Sequence, residues 1–332
     1  METASTKSGR QSCLWKLVRF APHILIGLIL ILLLPLQPIY VQSLMTKILI
    51  YAIFAMSLDL LMGYAGIMSL GHAAFFGVAG YTTGILMVKC GIDSLWLGAT
   101  CGILLATVVA AIFGIIALQV RGIYSILITF ALGQLLYSIA KKWRSMTNGD
   151  YGLWGLNYPV INVPNFEWNT TYFYYFVFLV FVICFFLLYR IVKSPFGKAI
   201  QGIREGESRM RALGYNTWLF QYITFVLAGL FAGVAGVLFA YHSGIMAPND
   251  LAVMNSGFVM LMMIAGGTGT IYGPAIGAAA IITIQYYAGI ITPERWPLIL
   301  GGIFVLTIMY ARAGIGVYLY ERWKRVLQKW KL

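Results

Sequence analysis

Asp59 and His72 are ionisable residues set into long apolar stretches, LDLLMGYAG and SLGHAAF. In lipid, a carboxylate and an imidazole so placed could relay protons. An unpaired carboxylate at mid-bilayer, however, costs about 2.5–3.5 kcal/mol on insertion scales. Asp59 is therefore expected to cap the turn at 63–66 or to pair near the membrane interface. An imidazole within a glycine-rich segment can hydrogen-bond across a helix break, a structural role for His72. None of the 3 histidines lies near a cysteine or an acidic ligand set, so no metal site is expected. Cys13, Cys90, Cys101 and Cys184 lack ligand spacing and imply no disulfide framework. There is no G-x-x-x-x-G-K-[ST] phosphate loop, since no lysine follows 266–269, and no nucleophile elbow. The expectation is a chain that binds no cofactor, is not an enzyme and does not itself hydrolyse ATP.

Two segments carry more glycine than a plain lipid-facing helix needs. The first holds Gly63, Gly66, Ser69, Gly71 and His72, and the second Gly266, Gly267, Thr268, Gly269 and Gly273. Glycine lets backbones approach closely, and an unwound turn exposes N–H and C=O groups that can line a polar route. The two segments fall at comparable positions in the two halves, a pattern that points to a central transport pathway. With Asp59 they form the candidate translocation path. The shorter pair Gly229 and Gly233 reads as helix packing.

The polar island at 193–218, KSPFGKAIQGIREGESRMRALGYNTW, interrupts the apolar sequence. Ser194 before Pro195 is a helix start, with a hydroxyl cap and then proline where no N–H is needed. Phe196, Ile200 and Ile203 recur at helical spacing. Gly206 interrupts this helix, and Gly214 is placed to end a second one over 207–213. A capped helix pair of this kind predicts a surface that docks onto a cytoplasmic partner.

These elements must sit in a membrane. Of the 332 residues, 61% are hydrophobic and only 10% charged, and mean hydropathy is +0.84. The runs are continuously apolar rather than alternating, so the expected fold is an all-α, polytopic helix bundle and not a barrel. Ten crossings fit, at about 21–40, 44–62, 67–88, 94–119, 122–140, 172–192, 218–241, 253–266, 271–291 and 297–311, with the short eighth broken or re-entrant. The net charge of +13 reflects orientation rather than nucleic acid. With both termini inside, most basic residues lie inside, leaving Lys47, Lys89, Lys141, Lys142, Arg144 and Arg295 outside. The expected organisation is a basic cytoplasmic segment (1–20), a permease domain (21–311) and a basic amphipathic tail (312–332) on inner-leaflet lipid.

In LDLLMGYAG at 58–66, SLGHAAF at 69–75, Arg121-Gly122-Ile123-Tyr124, and the segments 199–214 and 266–277, taken in order, the chain resembles the LivM-type permeases of bacterial branched-chain amino acid ABC importers. The resemblance implies a multi-pass protein of the bacterial inner membrane. It also implies a LivH-type permease partner, two cytoplasmic ATPases that use ATP-Mg, and a periplasmic solute-binding protein. It makes 197–214 the ATPase-coupling segment, with Gly197, Ile200, Ile203, Arg204, Glu205, Glu207, Ala212 and Gly214 as its candidate residues. Glu207, Ala212 and Gly214 are similar to the family's Glu…Ala…Gly pattern, while Gly206 stands where many members have asparagine. Urea importers use similar permeases, so an amide solute is the alternative substrate. A proton-coupled secondary carrier is the rival class, and the absence of a buried acidic network speaks against it.

Overall fold

The computed structural model describes residues 37–120, 122–159 and 168–291, with the single positions 298, 301, 302, 305, 309 and 314. The expected first and tenth crossings fall largely outside the described residues. The basic N-terminal segment lies outside them entirely, as does Arg121, and of the tail at 312–332 only Gly314 is described.

Apart from one four-residue turn, Arg144–Thr147, the α-helices of the described residues are α1 (Ile39–Asp59), α2 (His72–Val88), α3 (Leu95–Ala117), α4 (Ile123–Lys142), α5 (Thr170–Lys193), α6 (Pro195–Glu205), α7 (Glu207–Ala212), α8 (Thr217–Ser243), α9 (Val253–Gly266) and α10 (Gly273–Ile291). A π-helical turn, Leu60–Tyr64, extends α1. Among the described residues six helices are long and apolar enough to cross a membrane: α1 with its π turn, α3, α4, α5, α8 and α10. Helices α2 and α9 are shorter. The expected crossing at 67–88 begins as a helix only at His72, because Gly66 takes a positive φ and residues 65–71 run irregularly.

Helix α1 is the hub. Its span is mostly buried, whereas α4 and α5 turn most of their residues outward. A helix apolar all round belongs in such a centre. Helices α5, α8, α9 and α10 all pack on it, and α2 and α3 pack in turn on α8. Between helices in lipid, close fit decides association, because the tails are as apolar as leucine. Two devices supply that fit. Small residues meet where α8 crosses α3, with Gly229 against Ala110 and Gly233 against Ala106, the packing role expected for that pair. Aromatic rings knit α1 to its neighbours: Phe54 stacks on Phe76 at 4.5 Å, and Tyr51 meets Phe239 and Phe258 edge-on. Each such pair adds about 0.5–1.5 kcal/mol beyond its buried area.

The chain reverses between α4 and α5 through a loop whose Leu153–Trp154 pairs antiparallel with Ile245–Met246, just after α8. Asn169 then caps α5, its side chain accepting from the Thr170 N–H at 2.7 Å.

Candidate functional site

The two glycine segments, remote in sequence, meet at the end of the bundle that carries α6 and α7. Asp59, the last residue of α1, accepts a hydrogen bond from the Gly269 N–H at 2.7 Å through Oδ1. It does not cap the turn at 63–66. The carboxylate instead folds over Gly63, where any Cβ would collide with it and crowd the Gly269 nitrogen at 2.7 Å. Arg204, from the last turn of α6, donates through Nη1 to the Gly63 carbonyl. Its guanidinium lies within electrostatic reach of Asp59, and its Cγ would sit 2.9 Å from a Cβ at Gly66. Asp59, Gly63, Gly66 and Gly269 thus form one joint with Arg204. A charged donor or acceptor makes such hydrogen bonds roughly twice as strong as neutral ones.

The π turn explains part of this geometry. It leaves Ala65 bonding back to the Leu60 carbonyl at 3.3 Å, and Ile67 to that of Leu61 at 3.0 Å. Widened turns of this kind are frequent at functional positions.

Ser69, Gly71 and His72 lie elsewhere. Gly71 presses against the Thr129 carbonyl of α4, and Gly133 packs reciprocally on Gly71. The unpaired N–H groups that open a helix need partners. Here the Leu70 N–H donates to Thr129 Oγ1 at 3.3 Å and the Ala73 N–H to Ser256 Oγ at 2.8 Å. His72 is fully buried, 2.8 Å from Ser57 Oγ through Nε2 and stacked on Phe54. The imidazole therefore does bond across the break. Ser69 is also buried, so these three residues line no open channel within the described chain.

In the second break, Gly267 and Gly269 both take positive φ. Thr270 Oγ1 donates to the Gly267 carbonyl at 2.7 Å, and Thr268 is exposed. Gly266, Gly273 and Gly277 bring the backbones of α9 and α10 together at the turn, where side chains would overlap carbonyl oxygens.

The polar island is the expected helix pair. Ser194 caps α6, accepting the Gly197 N–H at 3.3 Å. Gly197, Ile200 and Ile203 point inward and are buried, so they hold the loop to the bundle. Arg204, Glu205, Ala212 and Gly214 are exposed, as is Leu213, a large apolar side chain absent from the sequence-based set. The second helix stops at Ala212, with Gly214 at φ +87° behind it. Glu207 is turned within the chain: it accepts from Arg211 at 2.7 Å and from Thr217 Oγ1 at 3.1 Å, which ties α7 to the start of α8.

Sequence reasoning also passes over a charged pair at the opposite end. Lys47 on α1 lies within electrostatic reach of Asp250, in the turn Pro248–Leu251. Burial pushes the Asp250 carboxyl up to about 6, against the pull of the Ala247 N–H and of Lys47. The signal available in sequence was a lysine inside an apolar run, which the orientation count absorbs as a flanking charge.

Residues 40–311 match the family described as branched-chain amino acid transport system / permease component. The chain is 24% identical over 292 residues to the high-affinity branched-chain amino acid transport system permease protein LivM of Escherichia coli, covering 81% of this chain and 68% of the relative. It is 24% identical over 306 residues to the probable branched-chain amino acid transport permease protein LivM of Methanocaldococcus jannaschii, covering 79% and 88%. It is also 22% identical over 281 residues to the permease protein LivH of Salmonella typhimurium, covering 80% and 90%. No solved structure matches. With its apolar spans and a family match that takes in both glycine breaks and the polar island, this multi-pass membrane protein belongs to the branched-chain amino acid transport system permease family.

Proposed function

We propose that this chain is one permease subunit of an ATP-driven importer of branched-chain amino acids, resident in a bacterial inner membrane with its termini in the cytoplasm. It would form half of a translocation path with a LivH-type subunit and receive solute from a binding protein. Two cytoplasmic ATPases, using ATP-Mg, would drive it through the island at 193–218. One observation carries this reading: Arg204 of α6 grips the Gly63 carbonyl of the first break, while Asp59 beside it holds the Gly269 N–H of the second. A push on the exposed face of α6 and α7 reaches both breaks through two hydrogen bonds. The exposed Leu213 and Ala212 give that face an apolar contact for an ATPase cleft, and Gly214 lets the chain turn back into α8.

The test is reconstitution in proteoliposomes. The chain alone should show no concentrative uptake of leucine, with or without a proton gradient. Adding the second permease, both ATPases, the binding protein and ATP should give it. In that complete system Arg204→Ala should lower leucine taken up per ATP hydrolysed by about tenfold, the loss of one charged hydrogen bond. Proton-driven accumulation by the chain alone would overturn the reading. Unchanged coupling in the Arg204→Ala complex would remove the route through α6.

A further inference from the structure

Helices α3, α4 and α5 all turn most of their residues outward, but α4 does so with a different surface. Beyond its first two turns α3 exposes only apolar side chains, Leu104, Val108 and Ile112 among them, and the middle of α5 exposes Leu179, Ile183 and Phe186. Such faces suit acyl chains. The outward face of α4 instead carries Gln134, Ser138 and Lys142 at four-residue steps, which is one line along a helix. Neither Gln134 nor Ser138 has a hydrogen-bond partner among the described residues. Set against lipid tails, an amide and a hydroxyl would stay unsatisfied at a cost that no nearby group offsets. Water, or a solute moving through water, satisfies both.

The same three residues line a groove of about 680 Å³, with Leu135 and Ile139 beside them. Ligand sites typically measure about 300–1,000 Å³ and combine apolar walls with a few placed polar groups. The place of the groove also fits a route. Lys141 pairs with Asp150 at 3.2 Å, just before the strand Leu153–Trp154, which pairs with Ile245–Met246 beyond the end of α8. The Lys142 end of α4 therefore lies opposite the polar island, from which α8 starts at Thr217. Toward the island the exposed line becomes apolar, at Leu127 and Tyr124, so the polar stretch belongs to the outer half alone. On its other side α4 is fixed to the first glycine break through Thr129 and Gly133, which makes it a braced wall.

Resting on the importer reading above, we propose that the face of α4 at Gln134 and Ser138 is this subunit's wall of the solute path, closed on its far side by the partner permease. Solute passes beside α4 rather than between the glycine breaks, whose buried residues line no open channel. Gln134 and Ser138 give it hydrogen bonds to exchange, and Leu135 and Ile139 border its apolar part.

The probe is a small charged methanethiosulfonate, applied to the complete complex in nanodiscs. The background carries Cys13→Ala, Cys90→Ala, Cys101→Ala and Cys184→Ala and is first shown to take up leucine. The reagent modifies thiolates, which form where sulfur meets water. Gln134→Cys and Ser138→Cys should each be labelled about tenfold faster, or more, than the lipid-facing controls Leu104→Cys and Leu179→Cys, in the resting or the nucleotide-trapped complex. Gln134→Leu, which copies the faces of α3 and α5, should lower leucine uptake about fivefold or more, with assembly unchanged by size exclusion. A lipid-facing position would accept leucine without loss. Labelling of Gln134→Cys or Ser138→Cys no faster than the controls in both states overturns the wall, and so does wild-type uptake by Gln134→Leu. Should Gln134→Leu fail to assemble, the cysteine rates decide. If the unaltered complex with binding protein and ATP takes up no solute at all, the importer reading fails instead, and the labelling pattern keeps the two failures apart.

Discussion

The two glycine breaks carry similar residues and are held in opposite ways. The first is fixed by its neighbours: α4 and α9 supply Thr129 and Ser256 to its backbone donors, and Gly71 is locked against the Thr129 carbonyl. The second is closed by Thr270 on Gly267, by glycine contacts between α9 and α10 and by the close approach of the Gly314 backbone to Gly267, and it reaches the rest of the joint through Asp59. A glycine-rich signature therefore specifies close backbone approach and says nothing of mobility. Mobility depends on how many independent elements share the contact. This contrast predicts that the break at 267–272, tied to α1 through Asp59, shifts in the transport cycle, and that the break at 65–71, bonded by side chains from α4 and α9, is the frame against which it shifts.

The sharpest way to break this contrast is to enlarge Gly71. A Cβ there runs into a backbone carbonyl rather than a flexible side chain, and overpacking a tight contact costs about 1–3 kcal/mol. Gly71→Val should lower the thermal midpoint of the purified complex by several degrees, read by fluorescence-detected size exclusion. A wild-type midpoint would mean that the first break is not the fixed one. Asp59→Ala comes next, because it removes the long-range bond that suspends the second break. Leucine transport should fall about tenfold, with Asp59→Asn intermediate since the amide oxygen can still accept from Gly269. The thermal midpoint should fall less than for Gly71→Val; a larger fall would make Asp59 a folding residue. Gly269→Ala has a smaller effect. The site is open enough for a methyl group, so the cost is that of a positive φ, about 1–2 kcal/mol.

Where sequence and structure agree, the signal is local. Continuous apolar runs mark the spans, and α9 falls on its expected bounds of 253–266 because Gly267 follows it directly. The helix pair at 193–218 was legible from Ser194, Pro195 and Gly214, each of which acts on its immediate neighbours. The start of α2 at His72 was not, because Ile67, Met68 and Leu70 keep the break as apolar as a helix. The joint was the least legible part. Asp59 and Gly269 stand 210 residues apart, and nothing in either segment's spacing encodes their contact. Glu207 shows the same limit: its acidic type suggests an outward charge, while the fold turns it onto Arg211 and Thr217.

The mildest perturbation asks about accessibility alone. Thr268 stands exposed at the tip of the second break, whereas Ser69 is 2% exposed within the first. Cysteine is close in size to both residues, so Thr268→Cys and Ser69→Cys should fold and transport nearly as wild type. A small charged thiol reagent modifies the thiolate, which forms only where the sulfur meets water. Thr268→Cys should therefore be labelled quickly in the resting complex, and Ser69→Cys should stay inert. Trapping the complex with a non-hydrolysable nucleotide should change the Thr268→Cys rate and leave the Ser69→Cys rate alone if the second break is the one that shifts. Labelling at Ser69→Cys that appears with nucleotide, beside an unchanged rate at Thr268→Cys, would reverse the assignment. The frame would then be the break at 267–272, and the side-chain ties from Thr129 and Ser256 would be the bonds that the transport cycle opens.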